Sequence, residues 1–290
     1  MNLEGRSGLI TGGSRGLGLE IARRYAGAGA RLVIAARNAD ALTCAADELR
    51  AIAGAADRVE TVAGDVTRPE DVHAMVARAL AAYGKVDILV NDAGMQGPIG
   101  PAETVDWAAW VRTVEVDLLG PVLLCREVLP LMKKQGYGKI VQISGGGATG
   151  PRPRFSAYAA AKAGVVRFVE TLAGEVQTFG IDVNAIAPGA LNTQMLDEML
   201  AAGPELLGTE EYAKVERQRA QGGTPLSRGA ELAVFLGSSA SDGITGKLIS
   251  AVWDPWKELP AHRDELNSTD VYALRRIVPK DRGLGWGNDK

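Results

Sequence analysis

Six short apolar runs, all but the last followed by a longer helical stretch, leave this chain few folds to choose from. The runs are residues 7–11, 31–35, 59–63, 88–91, 139–144 and 182–187, and helical periodicity marks 17–28, 40–53, 69–83, 107–135 and 157–179. Strands bounded by turn residues and separated by helices build βαβ units and a parallel sheet. The runs are nearly all apolar rather than alternating, as strands are when helices cover both faces. The expectation is α/β: a doubly wound parallel sheet in a single domain with a C-terminal extension. At 290 residues and 46% hydrophobic the chain can bury one large core. The domain should span 1–252. Within it, 191–222 is helical but charged and broken at Gly203-Pro204, which suits a lid. A last strand is expected over 247–252, followed by a polar, tryptophan-containing tail, 253–290.

Charge narrows the partners. The 32 basic and 35 acidic residues interleave to a net charge of −3, with no basic block for nucleic acid or a membrane surface. The first strand starts almost at Met1, which leaves no room for a signal peptide, and no apolar run reaches membrane-spanning length. A cytoplasmic protein is expected. Cys44 and Cys125 lie far apart in helical patterns, so neither a disulfide framework nor a zinc site is expected. His73 and His262 read as surface residues, with no metal constellation around them.

The turn Thr11-Gly12-Gly13-Ser14-Arg15-Gly16-Leu17-Gly18 follows the first strand and opens the first helix. Backbone N–H groups at a helix N-terminus bind a pyrophosphate, and glycines let the phosphates approach the backbone. The strand before and the helix after make this a dinucleotide site rather than an ordinary tight turn. An acid ending the second strand receives the ribose hydroxyls of NAD, whereas an arginine accommodates a 2′-phosphate. Here the second strand runs into Ala35-Ala36-Arg37, with Asp40 further on. Arg15 and Arg37 therefore favour NADP, with NAD the alternative.

Tyr158 and Lys162 stand four residues apart in the fifth helical stretch, on one face of a helix. An ammonium beside a phenol favours phenolate, which is what moving a proton to or from a substrate oxygen near neutral pH requires. With a dinucleotide close by, the chemistry is hydride transfer at a carbonyl carbon.

Together these motifs resemble the short-chain dehydrogenase/reductase family over about 250 residues. The matching pieces are Thr11–Gly18, Gly64-Asp65-Val66, Asn91-Asp92-Ala93-Gly94, Tyr158-xxx-Lys162, and Pro188-Gly189 followed by Thr193. The resemblance implies a Rossmann fold and commonly a homotetramer. It further implies that Asp65 contacts the adenine, beside Val66, and that Asn91, Ala93 and Gly94 line the cofactor groove. Thr193 would receive the nicotinamide carboxamide. Tyr158 would be the acid/base, with Lys162 lowering its pKa and holding the nicotinamide ribose.

The chain departs from the family pattern twice. The catalytic serine of the family stands thirteen residues before the tyrosine, where this chain has Gly145. Ser144 is the neighbouring hydroxyl, but adjacent strand residues face opposite ways. It takes over only if Gly145-Gly146-Gly147 re-aims it; otherwise it caps the strand or the ribose. Asp117 replaces the usual asparagine, whose backbone carbonyl in the family holds a proton-relaying water. An acid there alters the charge balance at Lys162.

In the loop before Tyr158, Arg152 and Arg154 could bind a phosphate or carboxylate, or face solvent or another subunit. Trp253 and Trp256 suit stacking or tail packing, and Ser268-Thr269-Asp270 is expected to cap a short helix over 271–278. The tail is expected to pack over the substrate side or across a subunit boundary. The leading function is an NADP-dependent alcohol–carbonyl oxidoreductase acting on a small polar or sugar-like molecule. The alternatives are a nucleotide-sugar epimerase or dehydratase and a catalytically weak cofactor-binding scaffold.

Overall fold

The computed structural model describes residues 1–286. Strands β1 (Ser7–Thr11), β2 (Arg31–Ala36), β3 (Val59–Ala63), β4 (Ile88–Asn91), β5 (Gly138–Ile143), β6 (Ile181–Ala187) and β7 (Leu248–Ser250) form one parallel sheet in the order β3-β2-β1-β4-β5-β6-β7. Helices α1 (Gly16–Gly27), α2 (Ala39–Ala53) and α3 (Pro69–Tyr83) alternate with the first strands. Helices α4 (Trp107–Val114) and α5 (Gly120–Gln135) precede β5, and α6 (Ser156–Val176) precedes β6. Helices α7 (Gln194–Leu207), α8 (Thr209–Gln221) and α9 (Leu226–Gly237) come before β7, and α10 (Arg263–Ser268) lies in the tail.

Most of the apolar runs are buried on both sides; β3, at the sheet's edge, is only partly buried beyond Val59. Ile10, Leu32 and Ile34 pack against α1, α2 and α9, while Leu9, Val33 and Ala35 face α3, α5 and α6. A third cluster of Phe155, Tyr158, Leu196, Met199, Leu207 and Val215 joins the start of α6 to α7 and α8. Register then aligns the motifs. Thr11 pairs with Ala35 on one side and Asn91 on the other, Asn91 with Gln142, and Ile143 with Ile186. All are at the carboxyl ends of their strands, and strand order reverses between β1 and β4. In such sheets that crevice is where ligands bind.

Three expectations are corrected in detail. The 107–135 helix is interrupted by a π turn, Glu115–Leu119, and the last strand is Leu248–Ser250 rather than 247–252. The helix expected over 271–278 does not form; the tail helix is α10, and Ser268 and Thr269 end it by donating to the carbonyls of Asp264 and Glu265. Val271 and Ile277 are exposed, so no apolar stripe is buried there.

The tail packs on its own domain. Trp256, Leu259 and Leu266 join the α1/α9 core, Trp256 lying 5.5 Å from the Phe235 ring. The N–H of Leu248 donates to Tyr272 O (2.8 Å), and Lys247 Nζ reaches the carbonyls of Thr269 and Val271. Leu274 is held by α6: its N–H donates to Glu170 Oε1, and its carbonyl accepts from Arg167. The tail thus lies along the β7 edge, away from the cluster containing Tyr158.

Candidate active site

The glycine turn forms a cradle that side chains would fill. Gly12 has φ +70°, and a Cβ there would lie 2.9 Å from Ala93 N. A Cβ on Gly18 would stand 2.5 Å from Gly12 O and from an Asp92 carboxyl oxygen. Both close approaches demand glycine. Gly16 marks the start of α1, whose first turn carries no acid, so the positive end of the helix dipole is left unbalanced. Ser14, Arg15 and Leu17 complete the turn. Arg15 and Arg37 are exposed, and among the described residues neither meets a carboxylate. Gly13 N–H donates to Ala35 O (3.3 Å), which seats the turn against the end of the strand carrying Arg37. Thr193, just ahead of α7, brings its methyl within 3.8 Å of where a Gly16 Cβ would sit. Gly189 has φ +92°, and a Cβ there would strike Thr224 and Val252. Pro188 packs near Gly229 of α9. This cradle fits a dinucleotide: Gly12 and Gly18 keep it clear of side chains at the N-terminus of α1, and Thr193 lies beside Gly16.

Asp65 is committed to its own neighbours. Its carboxylate accepts from Thr67 N (2.9 Å), Thr67 Oγ1 (2.8 Å) and Arg112. Burial works against its ionised form, but Thr67 and Arg112 outweigh that and hold it below the usual carboxylate range. Arg112, from α4, is a contributor that carries no motif in the sequence. Val66 packs on Gly120 at the start of α5.

The π turn carries Asp117 inward, fully buried. Its Oδ1 accepts from Met95 N (2.9 Å), and its Oδ2 stands 3.5 Å from Lys162 Nζ. Lys162 also donates to Ile143 O (3.3 Å). A Cβ on Gly94 would come within 3.3 Å of Asp117 and 3.5 Å of Lys162, so the segment from Asn91 through Ala93 to Gly94 runs beside this pair. Burial disfavours the charge on Lys162, yet Asp117, Tyr158 and Asp92 outweigh it and raise its pKa. Burial likewise pushes Asp92 up to about 7, against the pull of Lys162 and the Gly18 N–H.

Tyr158 lies one turn before Lys162, whose ammonium is 5.4 Å from the phenol ring centre. Burial raises the Tyr158 pKa, Lys162 and Arg152 draw it down, Asp117 and Asp92 push it up, and the net shift is upward. The pull of Lys162 expected from the spacing is present but outweighed. The Tyr158 hydroxyl presses against Gly145, where a Cβ would lie 2.2 Å from it. Ser144 donates its N–H to Ile186 O (2.8 Å), while its buried Oγ has no hydrogen-bond partner among the described residues. The structure thus joins Tyr158 with Gly145 and not with Ser144. The side-chain oxygen of Asn91 is also buried without a partner. Gln96, overlooked in the sequence, has both polar side-chain atoms buried and unpartnered. It lies between Met95, bonded to Asp117, and Ile99, packed in the Tyr158 cluster. A lone glutamine carries no motif, so only the fold could reveal it.

A crevice at the sheet's switch point, with a glycine turn at the end of β1 and the buried Tyr158 and Lys162 of α6, places this chain in the doubly wound α/β class. The short chain dehydrogenase family model matches residues 7–202, and the chain belongs to that family. It is 34% identical over 199 residues to the 2-dehydro-3-deoxy-L-rhamnonate dehydrogenase (NAD(+)) of Sphingomonas sp. (strain SKA58), covering 67% of this chain and 76% of that one. It is 34% identical over 247 residues to the cis-4-hydroxycyclohexanecarboxylate dehydrogenase of Sinomonas cyclohexanicum, covering 84% and 94%. Among solved structures, levodione reductase superposes with a TM-score of 0.79 at 29% identity, covering 90% of this chain and 99% of that chain. The chain is a short-chain oxidoreductase of the kind that acts on hydroxyl and carbonyl groups. Among the described residues no helix is long and apolar enough to cross a membrane, and no cluster of side chains could hold a metal.

Proposed function

We propose that the protein interconverts a secondary alcohol and a ketone with NADP(H), using Tyr158 as the proton-transferring group. The observation that carries this reading is the buried Tyr158–Lys162 pair, beside the Asn91–Gly94 segment that also borders the glycine turn at Gly12. The bound dinucleotide supplies or accepts the hydride. Gly12, Ser14, Arg15, Gly16, Leu17 and Gly18 hold its phosphates, Arg37 reaches a 2′-phosphate, and Thr193 takes the carboxamide. Lys162 supports the ribose and favours phenolate on Tyr158, which takes the alcohol proton during oxidation and returns it during reduction. The relative from Sphingomonas is named for NAD(+), so it is Arg15 and Arg37, exposed and without a carboxylate partner among the described residues, not kinship, that support NADP.

Gly145 leaves no serine hydroxyl beside the substrate oxygen, which favours a substrate that brings polar groups of its own. Relatives named for a sugar acid and a cyclic hydroxy acid support a small polar alcohol. The test is a screen of sugars, polyols, hydroxy acids and acyl ketones by nicotinamide absorbance, with Tyr158→Phe alongside. Turnover abolished in Tyr158→Phe with cofactor still bound is the expected result. A substrate reduced at near full rate by Tyr158→Phe would remove the proposed acid. The Lys162–Asp117 contact favours a second reading, a slow or purely cofactor-binding protein. Cofactor binding without turnover across the whole screen would select it.

A further inference from the structure

We propose that Arg152 anchors a carboxylate on the substrate, so that the molecules oxidised and reduced are hydroxy acids and their oxo acids. This rests on the reading of Tyr158 and Lys162 as the hydride-transfer site.

The two arginines ahead of α6 have separate roles. Arg154 has φ +70°, and its guanidinium donates to the carbonyls of Glu205 and Leu206, both at 2.8 Å. Those are the last carbonyls of α7, so Arg154 closes that helix and is spent on structure. Arg152 turns the other way. Its guanidinium lies over Phe155 (3.9 Å to the ring centre) and stands 5.7 Å from the centre of the Tyr158 ring. Only 21% of its side chain is exposed. Its nearest acid is Glu211 of α8 at 3.8 Å, too long for a hydrogen bond. Its other polar contact is the Met199 sulfur at 3.5 Å.

A guanidinium offers five N–H donors in a rigid fork. Here that fork is mostly desolvated, packed beside the rings of Phe155 and Tyr158, and among the described residues it makes no hydrogen bond to a carboxylate. Planar, bidentate recognition of a carboxylate is what such a fork does best. A phosphate dianion suits the place less well, because Asp117, Asp92 and Glu211 lie around the same site and Lys162, the other cation near Tyr158, is already engaged with Asp117. A monoanion placed between Arg152 and Tyr158 puts the reacting carbon a few bonds from its carboxylate, within one small molecule. Binding would also exchange the loose Glu211 contact for a close one, drawing the acid beneath α8.

The experiment compares an acid with its uncharged twin: cis-4-hydroxycyclohexanecarboxylate against its carboxamide, and gluconate against gluconamide. The holoprotein is expected to prefer the acid in kcat/KM by on the order of 100-fold, as two charge-assisted hydrogen bonds provide. In Arg152→Gln that ratio should fall to within about threefold, through KM rather than kcat, and Arg152→Lys should recover part of it. Glu211→Gln should lower KM for the acid several-fold, since it removes the competing anion. Melting curves of each variant separate lost recognition from lost packing on Phe155. Equal use of acid and amide by the unaltered protein overturns the proposal, as does a ratio that survives Arg152→Gln. Preference for a phosphate monoester over the acids overturns the assignment to a carboxylate. If nothing is turned over, calorimetry of the two acids against the protein–NADPH complex decides. Binding that depends on Arg152 keeps the anion site and discards the redox reading, while binding that ignores Arg152, or no binding, overturns the site itself.

Discussion

The hydroxyl of Tyr158 occupies the space into which a side chain at Gly145 would project, with only 2.2 Å between that oxygen and an ideal Cβ. The glycine is therefore a fitted partner of this tyrosine position. The familiar serine cannot be restored here without moving the phenol.

Gly145→Ser is accordingly expected to slow the reaction rather than repair it. Displacing the phenol by about 1 Å costs on the order of 100-fold in rate. Steady-state kinetics on the best substrate from the screen would check this, and a rate at or above that of the parent protein would contradict the geometry.

Asp117→Asn should shift the pH dependence of alcohol oxidation. Asp117 pushes the Tyr158 pKa up, and oxidation needs the phenolate, so the acidic limb of the rate profile reports that pKa. Without the anion the limb moves to lower pH. A limb that stays in place, or moves upward, would show that Asp117 is electrically silent.

Asp92→Asn is expected to stabilise the protein in a pH-dependent way. Burial raises this carboxyl from 3.8 to about 7, so the folded state holds a proton that the unfolded chain has released between those values. Stability then falls as pH rises through that window, by a few kcal/mol at most (~1.4 per unit). The variant should melt above the parent protein at pH 8 and close to it at pH 4. The Gly18 N–H still finds an amide oxygen on the substituted side chain, so the turn has no reason to open.

Arg15→Glu combined with Arg37→Asp should erase a preference for NADPH over NADH. Fluorescence titration of both cofactors reads the ratio directly. Tighter NADH binding by the unaltered protein would refute the charge argument at once.

Truncation after Val252 should destabilise the domain because it removes Trp256, Leu259 and Leu266 from the core. Trp256→Ala alone should cost about 3–5 kcal/mol, as large-to-small changes do in a closed core. Thermal melting checks both, and unchanged melting would mean that the tail is only laid against the surface.

Most of the sheet was legible because strands covered on both faces must be apolar throughout, and β1, β2, β4, β5 and β6 read as such runs. Helix α9 left no comparable trace. From Leu232 to Gly237 it is buried on all sides, so that half has no polar face and no period to detect. The π turn escaped notice because the helical pattern on either side of it continues unbroken. The motif residues Gly12, Gly18, Tyr158 and Lys162 were readable because spacing alone brings them together. The ties between Arg112 and Asp65, and between Arg152 and the Tyr158 cluster, were not, since they span elements whose relative placement only the folded chain sets. Tail residues 271–278 resemble a helix in sequence because capping residues look alike at either end. Ser268 and Thr269 close the preceding helix instead of opening a new one.

The bond from Leu248 N–H to Tyr272 O has a meaning beyond anchoring the tail. An open sheet has two margins, and an unshielded margin invites a strand from another molecule. On the β7 side the chain is its own neighbour: Tyr272 takes the donor, and Lys247 ties down the carbonyls of Thr269 and Val271. The N–H groups of Leu248 and Ser250 on that margin are already taken, by Tyr272 O and the Asp254 carboxylate, so a strand from a second copy would have to displace the tail to pair there.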